Sequence, residues 1–352
     1  MAETYDGALG TTVNVFPQGA DVSVGFTSTI VLVGKNEDGT ADNYEAITVD
    51  DTDEVEEEFG EDSGLVGAFT AARSNGADEI WAVGVDPEDP DWEAGTEAAI
   101  NILPRYIYID SHESEAKNTA VGVAEDYATD LEFTRVFAPI SEEVDSADVG
   151  DYEPDSSSMR AVEVAPQNAT VGGEETYTAA AVVGAASNEP LGSSLAYDQI
   201  TVDELATEYR PSVADNFERV TAVTKDATIV DGLTTSDEGA FSDIFQMEIV
   251  DTAALGLDEI AQDYAGSSVN TEDQRDSLAS AMRIYLESLA SQSPPLLADA
   301  FGGDPYVVDV DVGGDADEVI VNAGVNPVDV MKKIMINLNV GRVTTLEGVD
   351  AE

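Results

Sequence analysis

Apolar and polar positions along the first half of the chain predict strands that alternate with helices. Mainly apolar runs at 26–34, 79–85, 106–110 and 133–138 are typical of strands buried inside a sheet. Segments between and beside them favour helices at 53–59, 65–72 and 113–130. Strands alternating with helices indicate an α/β fold in which a mostly parallel sheet is covered by helices.

The second half continues this pattern and then changes character beyond Asp237. The predicted elements up to 264 are strands at 159–166, 220–223, 227–230 and 241–250, and helices at 177–186 and 255–264. Thr271 and Gln274 form a capping-box pattern that opens the strongest helix, and Pro294 with Pro295 ends this helical run. Its apolar stripe consists of Leu278, Met282, Tyr285, Leu286 and Leu289. A hairpin is predicted from strands 306–311 and 318–322.

A short alternating strand is predicted near each end of the chain. One apolar face near the C-terminus is formed by Ile334, Ile336, Leu338 and Val340. Near the N-terminus the alternating segment, stopped by Pro17, runs through Thr11, Thr12, Val13, Asn14, Val15 and Phe16. A lone strand pairs either within its own chain or with a neighbouring chain, because an unpaired edge is a template for association.

The charge of the chain is its most unusual compositional feature. The 352 residues include 73 Asp and Glu against 14 Lys and Arg, a net charge of −59. Acidic residues are spread between apolar segments, so they indicate solvated faces of a folded protein. Such self-repulsion destabilises a compact state at ordinary ionic strength, whereas about 1 M salt shortens the Debye length to about 3 Å. We therefore expect a protein adapted to molar salt that does not bind nucleic acid.

The sequence offers little that predicts catalysis or metal binding. Cysteine is absent, which excludes disulfides and thiolate chemistry. His112 is the only histidine, and its neighbours Ser111 and Glu113 are ordinary at the start of a helix. Segment 34–40 resembles a phosphate loop but has Thr40 where lysine is needed. Segment 309–318 departs from the calcium-loop pattern. We expect no enzyme activity, no cofactor, no metal, no signal peptide and no membrane span.

The order of segments resembles that of contractile tail sheath proteins of myovirus-type phages and related injection machines. The pieces that carry the resemblance are 24–34, Phe59-Gly60, 67–69, 75–83, 160–166, 179–184, 190–194 and 326–336. Each is a soft motif without a chemical signature, but together they span nearly the whole chain. The resemblance implies a multi-domain α/β (α+β) fold with helix-covered mixed sheets and extended N- and C-terminal arms.

The resemblance also implies a structural role. Sheath subunits form six-fold rings stacked helically around an inner tail tube, in contact with baseplate and tail terminator proteins. Each arm donates a strand to a neighbour, here through Thr11, Val13, Val15 and Phe16, and through Ile334, Ile336, Leu338 and Val340. Gly7, Gly10 and Gly19 are the expected hinges of the first arm. The helix at 271–292 is expected to face the tube.

The predicted organisation has four parts. They are an N-terminal arm (1–20), an outer α/β region (21–236) with an acidic linker at 141–158, an inner domain (237–326), and a donated strand with a polar tail (327–352). The leading hypothesis is a contractile sheath subunit of a haloarchaeal virus or injection system, assembled in the host cytoplasm. The alternatives are a monomeric α/β enzyme or ligand-binding protein of a halophile, and a different particle or surface-layer component.

Overall fold

The computed structural model describes residues 3–6, 12–15, 28–191, 193–238, 242–265, 268–298, 303–313 and 318–328. Its strands are β1 (Glu3–Asp6), β2 (Thr12–Val15), β3 (Ile30–Lys35), β4 (Ala46–Thr48), β5 (Ile80–Val85), β6 (Tyr106–Ile109), β7 (Arg135–Pro139), β8 (Ala161–Ala165), β9 (Asn168–Val171), β10 (Glu174–Tyr177), β11 (Glu204–Leu205), β12 (Thr221–Ala222), β13 (Tyr306–Val312) and β14 (Val319–Val325). Its helices are α1 (Thr52–Phe59), α2 (Gly64–Ser74), α3 (Trp92–Ile100), α4 (Ser114–Ala128), α5 (Thr178–Asn188), α6 (Pro211–Ala214), α7 (Ile244–Tyr264) and α8 (Glu272–Ala290).

The largest sheet in the described part of the chain has seven strands in the order β12-β8-β7-β6-β3-β5-β4. Adjacent strands in this sheet are parallel, except that β4 runs antiparallel to β5. The apolar runs predicted as buried strands are β3, β5, β6 and β7, and nearly all their residues are buried. The predicted mixed, helix-covered sheet is therefore confirmed, because connections through helices leave consecutive strands parallel.

Helices cover both faces of this sheet. One apolar cluster joins α1, α2 and α5 to one face, and a second joins α3 and α4 to the other. The small residues of α5 allow this helix to lie close to α2: a Cβ on Gly184 would come within 2.4 Å of the carbonyl oxygen of Ala72. Burial of the apolar side chains of these two clusters, one on each face of the sheet, is the main favourable contribution to the stability of the fold.

Several short elements were not predicted from the sequence. Helix α3 begins after Asp91, whose side chain accepts from the backbone N–H of Ala94 at 3.0 Å. Its Gly95 lowers helix propensity but lets the helix approach the sheet, since a Cβ there would lie 2.6 Å from Val85. Strands β9, β10 and β11 form a separate three-stranded sheet. These elements depend on tertiary packing more than on local pattern.

The predicted strand at 241–250 is wrong, because residues from Ile244 onward are helical. Asp243 caps α7 by accepting the backbone N–H of Phe245 at 2.9 Å. The apolar positions then recur with helical spacing, and the buried stripe consists of Phe245, Ile249, Ala253, Gly256 and Ile260. The predicted helix at 255–264 is the second half of this one long helix. The apolar run at 241–250 is short enough to fit either the two-residue period of a strand or the 3.6-residue period of a helix.

Helix α8 agrees with the sequence. Thr271 is its N-cap and accepts the backbone N–H of Gln274 at 3.4 Å. Every member of the predicted stripe from Leu278 to Leu289 is buried, packed against α7 and the β13–β14 hairpin. Gly256 of α7 permits this contact, because a Cβ there would lie 2.1 Å from the ring of Tyr285. The two helices and the hairpin share one apolar cluster that is separate from the two clusters of the seven-stranded sheet.

Candidate functional site

The β13–β14 hairpin is a two-stranded sheet with one covered and one open face. Its inner face, which includes Val308, Val310 and Val321, packs on α8. By register, the outer face consists of Val307, Asp309, Asp311, Ile320, Asn322 and Gly324. In the part of the chain that the structure describes, each strand of the hairpin has the other as its only strand partner. Both outer edges therefore present backbone groups without a strand partner in the described part, although the carbonyl of Val308 on the β13 edge accepts from Arg283 Nη2 at 2.8 Å.

The chain leaves this hairpin along a fixed path. After β14 the backbone N–H of Val328 donates to the carbonyl of Leu296 at 3.0 Å. The N–H of Ala298 donates in turn to the carbonyl of Asn326 at 3.0 Å. Val328 is thus held against the segment that follows α8. The predicted donated strand, with Ile334, Ile336, Leu338 and Val340, lies outside the described residues.

The N-terminal arm differs from the expected lone strand. The predicted segment contains β2, which includes Val13 and Val15, but β2 pairs antiparallel with β1 in the register Tyr5 to Val13. A strand without a partner leaves backbone groups unpaired, and the preceding segment supplies a partner in the same chain. Thr11 and Phe16, and the hinges predicted at Gly7, Gly10 and Gly19, lie outside the described residues.

A buried ionic junction joins α7 to the seven-stranded sheet, and sequence reasoning missed it. Arg105, Arg135 and Arg160 stand at or just before the first residues of β6, β7 and β8, three adjacent parallel strands. Their acceptors are Glu248 and Asp251, three residues apart on one side of α7. All five side chains are buried. We call this cluster the arginine junction.

The geometry of the arginine junction is that of strong charge-assisted hydrogen bonds. Arg105 binds Glu248 through Nε and Nη2, both at 2.9 Å. Arg160 binds both oxygens of Asp251 at 2.7 Å, and Arg135 Nη2 reaches Oδ2 of the same carboxylate at 2.6 Å. Such bidentate contacts fix the orientation of both partners. The arginine junction therefore holds α7 in a defined position under the sheet.

Tyr106 adds a fourth donor to this junction. Its hydroxyl donates to Oε1 of Glu248, the oxygen that also accepts from Arg105 Nε. Burial raises the pKa of Tyr106 well above its ordinary value, and the charge of Glu248 raises it further. The phenol therefore stays protonated and continues to donate. The other oxygen, Oε2, accepts from Arg105 Nη2, so both oxygens of the Glu248 carboxylate have a hydrogen-bond donor.

Side chains pack closely at the carboxyl end of β3, on the edge of the sheet where α/β folds usually bind ligands. At the end of β3, a Cβ on Gly34 would lie 2.9 Å from Leu65 and 3.0 Å from Asp110. Asp110 accepts the hydroxyl of Tyr108 at 2.7 Å, and burial raises the pKa of Asp110 to about 6. The end of β3 is therefore closely packed against α2 and Asp110.

The sequence motifs considered for chemistry are placed as follows. His112 is exposed, and its Nδ1 lies 2.8 Å from the hydroxyl of Tyr177 rather than beside a nucleophile. In segment 34–40, Asn36 Oδ1 accepts the N–H of Gly39 at 2.9 Å, which closes the segment as a turn. No helix follows it directly, since the next helix is α1. Neither arrangement matches a triad or a phosphate loop.

Searches for two further kinds of site found none among the described residues. No group of three or more His, Asp or Glu side chains there has the arrangement of a metal site. No helix in the same part of the chain has the length and apolar character needed to cross a bilayer.

Comparison by sequence with family models and with curated proteins finds no match. Comparison by structure finds clear ones. The sheath of the anti-feeding prophage in its contracted state aligns with a TM-score of 0.68, 11% identity and coverage of 90% of this chain and 94% of that one. A chain of the anti-feeding prophage baseplate aligns with a TM-score of 0.67, 13% identity and coverage of 93% and 98%.

A crystallised sheath tail protein from Listeria innocua gives a third match, with a TM-score of 0.61, 13% identity and coverage of 88% and 94%. The fold is that of tail sheath proteins. The sheath fold accounts for most of the chain, because these three matches cover 88–93% of it. The predicted fold class is confirmed, and the resemblance seen in soft sequence motifs corresponds to a real similarity of structure.

Proposed function

We propose that this chain is the subunit of a contractile tail sheath. In this proposal, six-fold rings stack helically around an inner tube, and contraction drives the tube through a target envelope. The observation that carries the proposal is the match to sheath structures over about nine-tenths of both chains. Baseplate and terminator proteins are the expected neighbours at the ends of the sheath.

Strand donation is the proposed link between subunits. The open edges of β13 and β14 would accept the strand at 334–340 from a second copy, and the N-terminal arm would contribute through β2. The distribution of charge supports the donation of the C-terminal segment to the hairpin of a second copy. Segment 330–346 contains Lys332, Lys333 and Arg342 and no acidic residue, whereas the outer face of the hairpin carries Asp309 and Asp311. In a chain of net charge −59, this segment is attracted to another copy instead of repelled.

Electron microscopy of the purified protein tests the proposal. In about 3 M salt, where surface repulsion is screened, we expect stacked rings or striated tubes. A subunit that stays monomeric at high concentration in the same salt would contradict the proposal. Mixing with the inner tube protein of the same particle is the stronger form of the experiment, since a tube should template the sheath.

Salt dependence gives a further prediction. We infer that the particle comes from an archaeon living in molar salt, because each subunit carries −59 and the charge is spread over its surface. Dilution to about 0.1 M salt lengthens the Debye length to about 10 Å, so repulsion between and within subunits is no longer screened. Assemblies should dissociate or unfold, which light scattering and circular dichroism would record. Assemblies that tolerate dilution would refute the inferred adaptation to salt.

A further inference from the structure

Lys117 lies in a second buried ionic cluster, separate from the arginine junction. This lysine of α4 is 3% exposed, and its Nζ contacts the carboxylates of both Asp155 and Glu163. Glu163 is on β8 and Asp155 is in the acidic linker. The backbone N–H of Asp155 donates to Glu163 Oε1 at 3.1 Å, and the same oxygen lies 3.1 Å from Lys117 Nζ. The amine and the two carboxylates are therefore in mutual contact.

The surroundings of Asp155 resemble a site that stabilises developing charge. Ser114 donates to Oδ1 of Asp155 at 2.9 Å, and Ser141 donates to Oδ2. Both hydroxyls donate to the carboxylate oxygens of Asp155, so they would also stabilise the oxyanion of the tetrahedral intermediate that forms when an amine attacks Cγ. Tyr152 donates to Oε2 of Glu163 at 2.7 Å, which fixes that carboxylate beside Lys117. Lys117 and Glu163 are nearly inaccessible to water, whereas the side chain of Asp155 is 18% exposed, so the nucleophile and the relay are shielded from water more than the carboxylate is.

We propose that Lys117 and Asp155 join through an isopeptide bond, with Glu163 as the proton relay. Lys117 Nζ attacks Cγ of Asp155, an N–C bond forms, and one C–O bond of the carboxylate breaks. Glu163 accepts protons from the nitrogen and passes them to the departing oxygen. The ammonium and the carboxylate thus become an amide and one water molecule, without an oxidant, a metal or a cofactor.

The state of Glu163 suits this role. Burial raises the pKa of Glu163 above its ordinary value, while the nearby Lys117 and the Tyr152 hydrogen bond lower it, and the net shift is upward. A carboxyl group that gains and loses a proton readily is what a relay requires. Burial raises the pKa of Asp155, but Lys117, Ser141 and Ser114 together lower it further, so the net shift is downward. An anionic carboxylate is a poor electrophile, so the reaction starts when Glu163 relays a proton from the Lys117 ammonium to the Asp155 carboxylate.

Such a bond would brace the linker. Residues 141–158 contain only one short 3₁₀ turn, Val149–Asp151, and depend on side-chain contacts for their position. A covalent tie from Asp155 to α4 closes a loop that includes β7, and a closed loop stabilises a fold mainly by restricting the unfolded chain. The chain has no cysteine with which to make a disulfide for the same purpose.

Intact-mass spectrometry of the full chain, folded in molar salt, tests the proposal. The wild type should weigh less than its sequence by the mass of one water molecule, and proteolysis should release a branched peptide that joins Lys117 to Asp155. Lys117→Arg keeps the positive charge but cannot form the amide, so it should have its sequence mass. Asp155→Asn should lose ammonia in place of water, because the side-chain amide then supplies the leaving group.

The controls separate this reaction from other losses of water. Asp-Gly pairs such as Asp38-Gly39 can dehydrate to a succinimide, and that loss would persist in Lys117→Arg. Glu163→Gln preserves the shape of the relay but not its proton transfer, and it should remain uncrosslinked. A folded wild type at its sequence mass, or a water loss that survives Lys117→Arg, would overturn the proposal. A crosslink that forms in Glu163→Gln would overturn the role given to Glu163.

Discussion

Replacing Asp251 by asparagine should lower the free energy of unfolding by about 3–5 kcal/mol. Asp251 is the shared acceptor of Arg135 and Arg160, and all three side chains are buried. Asparagine is similar in shape but neutral, and its amide nitrogen cannot accept a hydrogen bond. Both guanidiniums would lose their counter-charge, and Arg160 would also lose its bidentate acceptor, in a place where water cannot replace them.

Urea unfolding followed by circular dichroism in molar salt would measure this loss. The matched control is Glu259→Gln, the same change of carboxylate to amide at an exposed position on α7. It should change stability by no more than about 0.5 kcal/mol. Equal effects of the two substitutions would show that the arginine junction contributes no more than an ordinary surface charge.

The arginine junction should also respond to salt differently from the surface. Exposed charges are screened at high ionic strength, but a buried pair is screened much less. Four of the chain's 14 basic side chains, Arg105, Lys117, Arg135 and Arg160, are buried in the described part. The difference in stability between Asp251→Asn and wild type should therefore persist between about 1 M and 3 M salt, although both proteins become more stable as the surface is screened.

Much of the fold could be predicted because its local signals are strong. The buried strands β3, β5 and β6 are continuous apolar runs, and α8 has both a cap at Thr271 and a full apolar stripe. Helix α7 was predicted wrongly because its first turns read as an apolar run, and the second half alone showed helical spacing. Short elements such as α3 and β4 were missed, since their formation depends on the sheet against which they pack.

The arginine junction was missed for a related reason. With 241–250 assigned as a strand, Glu248 and Asp251 could not be placed on one side of a helix. One signal was available in the sequence. Each of Arg105, Arg135 and Arg160 stands within or directly before the first residues of a predicted strand, and the chain has only 14 basic residues. Adjacent parallel strands bring such residues together at one edge of a sheet. The acidic partners could not be identified among 73 carboxylates without the structure.

Removal of residues 329–352 should abolish tube formation and leave a folded subunit. The truncation point follows from the structure, because Val328 is still held by the carbonyl of Leu296 in its own chain. The proposed strand at 334–340 would be lost, together with the three basic residues at 332, 333 and 342. Without a donated strand, the edges of β13 and β14 in the next subunit would lack the proposed partner.

Electron microscopy and circular dichroism at about 3 M salt would separate assembly from folding. Deletion of 344–352 alone is the matched control, since it keeps the alternating segment and should still give tubes. A finer test uses the period of the strand. Ile336→Asp places a charge on the apolar face and should prevent assembly, whereas Asn337→Asp changes the opposite face and should be tolerated.

These variants distinguish strand donation from a general need for the tail. If the strand docks with one face buried, position 336 must be sensitive and position 337 must not be, because neighbouring residues of a strand point to opposite sides. Equal loss of tubes in both variants would point to an effect of added negative charge, since each adds one unit to a chain already at −59. Intact tubes from the chain that ends at Val328 would remove the C-terminal strand from the proposed assembly.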